Sequence, residues 1–426
     1  MERPAGRGNA DAIQGGLRTA DMDFLDTPEE AAFRAEVRSW LEDAAAEYRT
    51  PPSEPWTEDE YVRRALAWLK KKSERGYGAI LWPKEVGGRG GTPIEKVIFE
   101  EEEGRYFVPI GSFVNIGMNN SVPTILHHGR PDQIEQFAGP TMRGEIAWAQ
   151  LFSEPAAGSD LAALRTRAVK DGDEWVVNGQ KVWSSWAHHA DWGILLARTD
   201  PTVPKHKGLT YFLVDMKSPG IEIRPIKQIS GKSDFNETFL TDVRIPDSNR
   251  LGAVNGGWAV AMTTLTGERI GPAPPSTGIY AHTVLRRAAA TPLGKGTALD
   301  SAAVRERIAK WYALEQGLRN FRFRMLTKLS KNENPGNATA LSKLMSYRKL
   351  QELSAYAMDL QGYAGLFDDG SDPELTKIHE EFIWSSAMRL AGGSDEVLRN
   401  QLAERALGLP GDMRADKNVP FDQLPA

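Results

Sequence analysis

The hydrophobic period changes twice along this chain of 426 residues, and that double change limits the available folds more than any single motif. Up to about residue 145 the apolar positions recur at helical spacing. From there to about residue 250 they fall into short strand-like runs, and after "NRLGAVNGGW" they turn helical again and stay so. The pattern predicts an α+β fold: a helical domain, a compact antiparallel β domain and a longer helical bundle. An apolar content of 41% is enough for two or three such domains. The boundaries read as 22–145, 146–250 and 251–410, with a disordered extension at 1–21 and a tail at 411–426. Met22 is a possible natural start, because "MDFLDTPEEAAF" opens the ordered pattern abruptly.

Local signals support the division. Thr27, Pro28 and Glu30 form a helix start with a capping box, and Phe33, Val37, Trp40 and Leu41 follow at helical spacing. A second box is read at Thr57 and Glu60, then a Gly- and Pro-punctuated loop, "YGAILWPKEVGGRGG", and a helix at "PIEKVIFEEEEGRY". In "DEWVVNGQKVWSSWA" two β-rich arms flank Asn178-Gly179, a dipeptide favoured in two-residue hairpin turns, so the reading places a turn there. "DWGILLART", "GLTYFLVDM", "IEIRPI" and "NETFLTDVRIP" add strands, and five long amphipathic segments after residue 257 add helices.

Composition removes several function classes. A net charge of −5 argues against a nucleic-acid phosphate tracker. With no cysteine there are no disulfides, thiolate metal sites or cysteine nucleophiles, which suits a cytoplasmic location. No apolar run is long enough to span a bilayer, so no membrane role is expected. Phosphate-loop, Gly-x-Gly-x-x-Gly and Gly-x-Ser-x-Gly motifs are missing. The pairs His127-His128 and His188-His189 would diverge on a regular helix or strand, so neither is read as a metal site.

Two stretches carry chemistry. "LFSEPAAGSD", residues 151–160, is a small-residue, donor-rich bend after an apolar run. About twenty residues on, Trp183 with Ser184 and Ser185 could cover a planar ring and hydrogen-bond its edge. Alone the bend is an ordinary turn; with the second stretch in the same β domain it reads as a cradle for a flat, anionic ligand.

These stretches, with "WPKEVGG", "GWAVAMTTLTGER" and "AGGSDEVLRNQLAERALGLP", resemble the FAD-dependent acyl-CoA dehydrogenases from about Phe24 to the C-terminus. The likeness is greatest to the bacterial branch with sterol side-chain and other bulky-acyl enzymes. It implies the same three-domain order, with the C-terminal part a four-helix-bundle domain, and FAD as cofactor. Gln150, Ser153, Gly158 and Ser159 would line the flavin, with Ser159 also able to reach the acyl-CoA. Trp183, Ser184 and Ser185 would lie against the ring, Ser185 near its reactive nitrogen, and Gly393, Ser394 and Glu396 would also contact the cofactor.

The family's reaction takes an α-proton from an acyl thioester while a β-hydride goes to the flavin, which calls for a carboxylate over the α-carbon. Many members carry that base just before a Gly-Thr pair near the C-terminus, but the matching position here is Gly392. A second family location is the acid of an acid-Arg pair, which matches Glu268-Arg269: Glu268 as base, Arg269 as substrate contact. Two nucleotide-contact motifs depart from the family pattern, with Ala290 or Thr291 where an Arg is usual and Asp359 and Tyr363 at key places of "DLQGYAG". The resemblance therefore implies a homo-oligomer or a hetero-oligomer sharing FAD with a paralogue. It also implies an electron-transferring flavoprotein as acceptor. A flavin monooxygenase or oxidase on the same fold, and a non-catalytic partner subunit, remain as competing readings.

Overall fold

The computed structural model describes residues 26–52, 54–270, 279–331, 333, 338–411, 416 and 418–424, excepting the side chains of 266–270, 326, 329, 330, 338 and 339. The expected extension at 1–21 and Met22 lie outside the described residues.

The N-terminal helices are α1 (Pro28–Ala44), α2 (Glu58–Ser73), α3 (Pro93–Glu103), the single turn α4 (Ser112–Asn115), α5 (Val122–His128) and α6 (Pro131–Met142), with a π-helical turn, Ile116–Ser121, between α4 and α5. The Thr27 box forms in full: the Glu30 N–H donates to Thr27 Oγ1 at 3.2 Å, and the Thr27 N–H donates to Glu30 Oε2 at 2.8 Å. The Thr57 box is only half made. Glu60 N–H reaches Thr57 Oγ1, but the Glu60 carboxylate accepts from Arg64 Nε at 2.8 Å, the stronger charge-assisted partner one turn on.

The middle domain is a sheet of eight strands: β1 (Trp148–Leu151), β2 (Arg167–Asp171), β3 (Glu174–Ser185), β4 (Trp192–Arg198), β5 (Leu209–Asp215), β6 (Ile221–Ile226), β7 (Phe235–Pro246) and β8 (Arg250–Leu251). Its order is β6-β7-β3-β2-β4-β5-β8, with β1 also on β4. Most pairs are antiparallel, as expected, but β1 and β2 each run parallel to β4. Buried side chains fill both faces: Trp148, Ile194, Leu196 and Tyr211 on one, Leu195, Phe212, Val177 and Val243 on the other. The continuous apolar run of β4 follows from that double burial.

The expected turn at Asn178-Gly179 is not there: β3 passes straight through it. The hairpin turn is Gly172-Asp173, closed by the Asp171↔Glu174 pair, with Gly172 at φ +58°. Asn178 instead sits in a β-bulge, its amide exchanging bonds with Asp242 at 2.9 Å in each direction. Gly179 is required by a close approach: a Cβ there would lie 2.3 Å from Thr166 Oγ1.

Then come α7 (Gly257–Ile270), α8 (Ala281–Ala290), a short hairpin of β9 (Pro292–Leu293) and β10 (Gly296–Thr297), α9 (Ala302–Ser330), α10 (Ala338–Asp359), α11 (Pro373–Met388) and α12 (Asp395–Gln401). The C-terminal core is a helical bundle in which Val284, Ile308, Trp311, Leu353 and Ile378 from α8 to α11 meet. Among the described residues no helix is long and apolar enough to cross a membrane.

Candidate active site

The bend after β1 is built around a buried ion pair. Glu154 Oε2 accepts from the Arg165 N–H at 2.6 Å, and Oε1 accepts from the Thr166 N–H at 2.8 Å and from Lys181 Nζ at 2.8 Å. Lys181, 0% exposed, also donates to the carbonyls of Phe152 and Leu196. Burial alone would raise the Glu154 carboxyl, but the Lys181 ammonium and the N–H donors outweigh it and hold Glu154 below the ordinary carboxylate range. Reciprocal bonds between Glu154 and Ala157, 3.0 Å each, close the turn Glu154-Pro155-Ala156-Ala157.

This ties the two chemical stretches together. The Val182 N–H donates to Ser153 O at 2.9 Å, which sets Ser153 beside β3 one residue before Trp183. Trp183 is held at φ +61°, 58% exposed, with its ring edge-on to Phe235 at 6.0 Å. Phe235 in turn stacks on Trp384 of α11. Gly158 and Ser159 lie exposed on the outer part of the bend, and a Cβ built at Gly158 meets nothing within 4 Å. Ser185 is half-buried, whereas Ser184, expected against the ring, is fully buried with its carbonyl taken by Asn236 Nδ2, which corrects that expectation for its side chain. An open aromatic face, small residues and the hydroxyls of Ser153, Ser159 and Ser185 suit a planar ring with polar edges, so the residues present fit a flavin.

Gln150, on β1, accepts from Asn120 Nδ2 of the π turn at 3.1 Å. Thr124 Oγ1 donates to Asn120 O and lies 2.9 Å from Thr264 Oγ1 on α7, which is 3.0 Å from Tyr211 Oη. A hydrogen-bonded path thus joins the strand entering the bend to the helix bearing residue 268. Asn120, Thr124, Tyr211 and Thr264 were not singled out from the sequence; the polar run Asn119-Asn120-Ser121 inside an apolar stretch was their one signal. Glu268 and Arg269 fall one turn beyond Thr264, and their side chains lie outside the described residues.

Gly393, Ser394 and Glu396 form a separate group at the start of α12. Gly392 and Gly393 have φ of +63° and +98°, and Lys343 Nζ donates to the carbonyls of Ala391 and Gly393. Ser394 caps α12 by accepting the Val397 N–H, while Glu396 is exposed beside Arg399. The left-handed backbone at Gly392 favours glycine over a side chain that could act as base.

The histidine expectation needs correcting. Trp186, at φ +53°, turns the chain into a 3-10 turn, Ala187–His189, instead of a helix or strand. The rings of His188 and His189 lie with centroids 4.3 Å apart, and those of His127 and His128 on α5 lie 4.5 Å apart, so neither pair diverges as expected.

Comparison with known proteins agrees with this architecture. Residues 27–145, 149–243 and 255–407 match the N-terminal, middle and C-terminal domain models of acyl-CoA dehydrogenases. The chain belongs to the acyl-CoA dehydrogenase family, whose oxidoreductases depend on FAD. Acyl-CoA dehydrogenase FadE34 of Mycobacterium tuberculosis is 40% identical over 91% of this chain, which spans half the length of that relative. Acyl-CoA dehydrogenase IpdE1 of the same organism is 37% identical over 90% of this chain and 98% of its own length. Among solved structures, the Tcur3481-Tcur3483 steroid ACAD has a TM-score of 0.76 at 28% identity, covering 92% of this chain and 100% of its own. The ChsE4-ChsE5 complex from Mycobacterium tuberculosis has a TM-score of 0.75 at 28% identity, with the same coverages.

Proposed function

We propose that this chain catalyses α,β-dehydrogenation of an acyl-CoA thioester with Glu268 as the base, within domains bounded at 22–145, 146–250 and 251–410. Ser153, Gly158, Ser159, Trp183 and Ser185 would hold the FAD, with Gln150 behind them, and Gly393, Ser394 and Glu396 would serve the cofactor from the C-terminal domain. When bound, FAD supplies the acceptor for the β-hydride. Glu268 takes the α-proton onto its carboxylate, and the C–H electron pair left behind forms the new double bond as the β-hydride departs. Arg269 contributes positive charge where the thioester oxygen becomes more negative. The observation that supports this most is the bond from Val182 to Ser153, which sets the bend beside the open face of Trp183.

A bulky, ring-bearing acyl group is the favoured substrate class, because a steroid ACAD is among the similar structures. The two-component names of these structures, with exposed Tyr363, Leu366 and Phe367 in the altered "DLQGYAG" region, favour a hetero-oligomer with a paralogue over a homo-oligomer. An electron-transferring flavoprotein is the proposed acceptor and the cytoplasm the proposed location. The test is anaerobic titration of the yellow protein, purified alone and with a co-expressed paralogue, against a panel of acyl-CoA thioesters. Bleaching by ring-bearing thioesters is expected. Steady oxygen consumption with a hydroxylated product would replace this reading with a monooxygenase.

A further inference from the structure

At the seam between the N-terminal helices and the β domain, three metal-ligating side chains meet that the proposed chemistry does not use. Glu58 is the first residue of α2, and His188 and His189 lie in the 3-10 turn after β3. The three ligand atoms, one carboxylate oxygen and two imidazole nitrogens, all lie within 4.8 Å of one another. Glu58 Oε1 faces both Nε2 atoms, that of His189 at 2.7 Å. Trp186 stacks on His188 with an interplanar angle of 16° and lies 5.8 Å from His189, which limits how either ring can turn.

The proton inventory shows what the cluster lacks. Asn236 is fully buried, and its Nδ2 donates to Ser184 O at 3.0 Å. Its Oδ1 is therefore the end that meets His188 Nδ1, also at 3.0 Å. Two acceptors cannot share that contact, so Nδ1 carries the hydrogen. A neutral His188 then presents the lone pair of Nε2 to Glu58 Oε1, another acceptor. A proton between them, held by the ring or by the carboxylate, or a metal ion relieves that opposition. A histidine whose Nδ1–H is fixed by a carbonyl, leaving Nε2 free, is the arrangement metal-bound histidines adopt.

We propose that Glu58, His188 and His189 bind a divalent transition ion of the Zn²⁺ class, clasping α2 to the turn after β3. Two imidazoles and one carboxylate are the donors such ions take, and the exposed side of Glu58 leaves positions for water and a path of entry. Bonds of about 2.0–2.2 Å from ion to ligand require the present contacts to open slightly. Glu58, on an exposed first helical turn, can yield by that much.

The test uses the full chain stripped with a chelator and titrated with ZnCl₂ by calorimetry, and with Co²⁺ by visible absorption. One ion per chain is expected, with a Zn²⁺-dependent rise in melting temperature. His188→Gln and His189→Gln, each checked for a native circular dichroism spectrum, should weaken binding tenfold or more. Failure of the wild-type chain to take up either ion at millimolar concentration overturns the proposal, and so does unchanged affinity in the double variant.

Discussion

Lys181→Met isolates the contribution of the buried ion pair to the bend. Methionine keeps most of the side-chain length, so the change removes charge and donors more than volume. Glu154, 8% exposed, would keep its two backbone N–H donors but lose its countercharge. Stranding a buried charge this way costs about 3–5 kcal/mol. The lower end applies here, because the remaining donors still solvate the carboxylate. A loss of about 3 kcal/mol corresponds to roughly 100-fold faster local opening. Amide hydrogen exchange at Arg165 and Thr166, whose N–H groups donate to Glu154, reads that opening directly. The pH dependence has a definite sign. Since Glu154 is held below the ordinary carboxylate value of about 4.3, its contribution is complete above that value and is lost as pH falls through the depressed one. With Lys181 gone, burial is opposed only by the N–H donors of Arg165 and Thr166, so acid loosening of the bend should begin at higher pH. Glu154→Gln combined with Lys181→Met should cost at least about 2 kcal/mol less than the two single changes summed. Additive single costs, or exchange at Arg165 and Thr166 unchanged in Lys181→Met, would refute the reasoning.

Two further outcomes follow from packing. Phe421→Ala removes a ring 3.8 Å from the Arg198 guanidinium, which burial pushes down to about 10; a loss of about 2 kcal/mol in urea unfolding is expected, with faster exchange of the Phe421-position amide now bonded to Val203 O. Gly117→Ala would set a Cβ 2.8 Å from Trp148 Cδ1 and 2.9 Å from Thr141 Cγ2 in the π turn, so it should destabilise by about 1–3 kcal/mol in the same assay, whereas Gly158→Ala, with open space around it, should cost far less.

What was legible in the sequence was local. The Thr27 box and the change of period at β1 depend on residues a few positions apart, and both appear as read. What was misread depended on distant partners. Asn178-Gly179 has the composition of a turn, yet Thr166 and Asp242, brought beside it by the sheet, make it a bulge. Glu154 and Lys181 were inside quoted motifs, but their pairing across 27 positions carries no spacing signal. The meeting of His188 with Glu58, 130 residues away, depends on the left-handed Trp186 and on how two domains pack.

Single-turnover flavin reduction in Glu268→Gln, mixed anaerobically with the acyl-CoA that best bleaches the wild-type protein, tests the central claim most directly. The account predicts retained FAD and a reduction rate at least about 100-fold lower. Reduction at the wild-type rate with FAD fully bound would contradict it and require the α-proton to leave by another route.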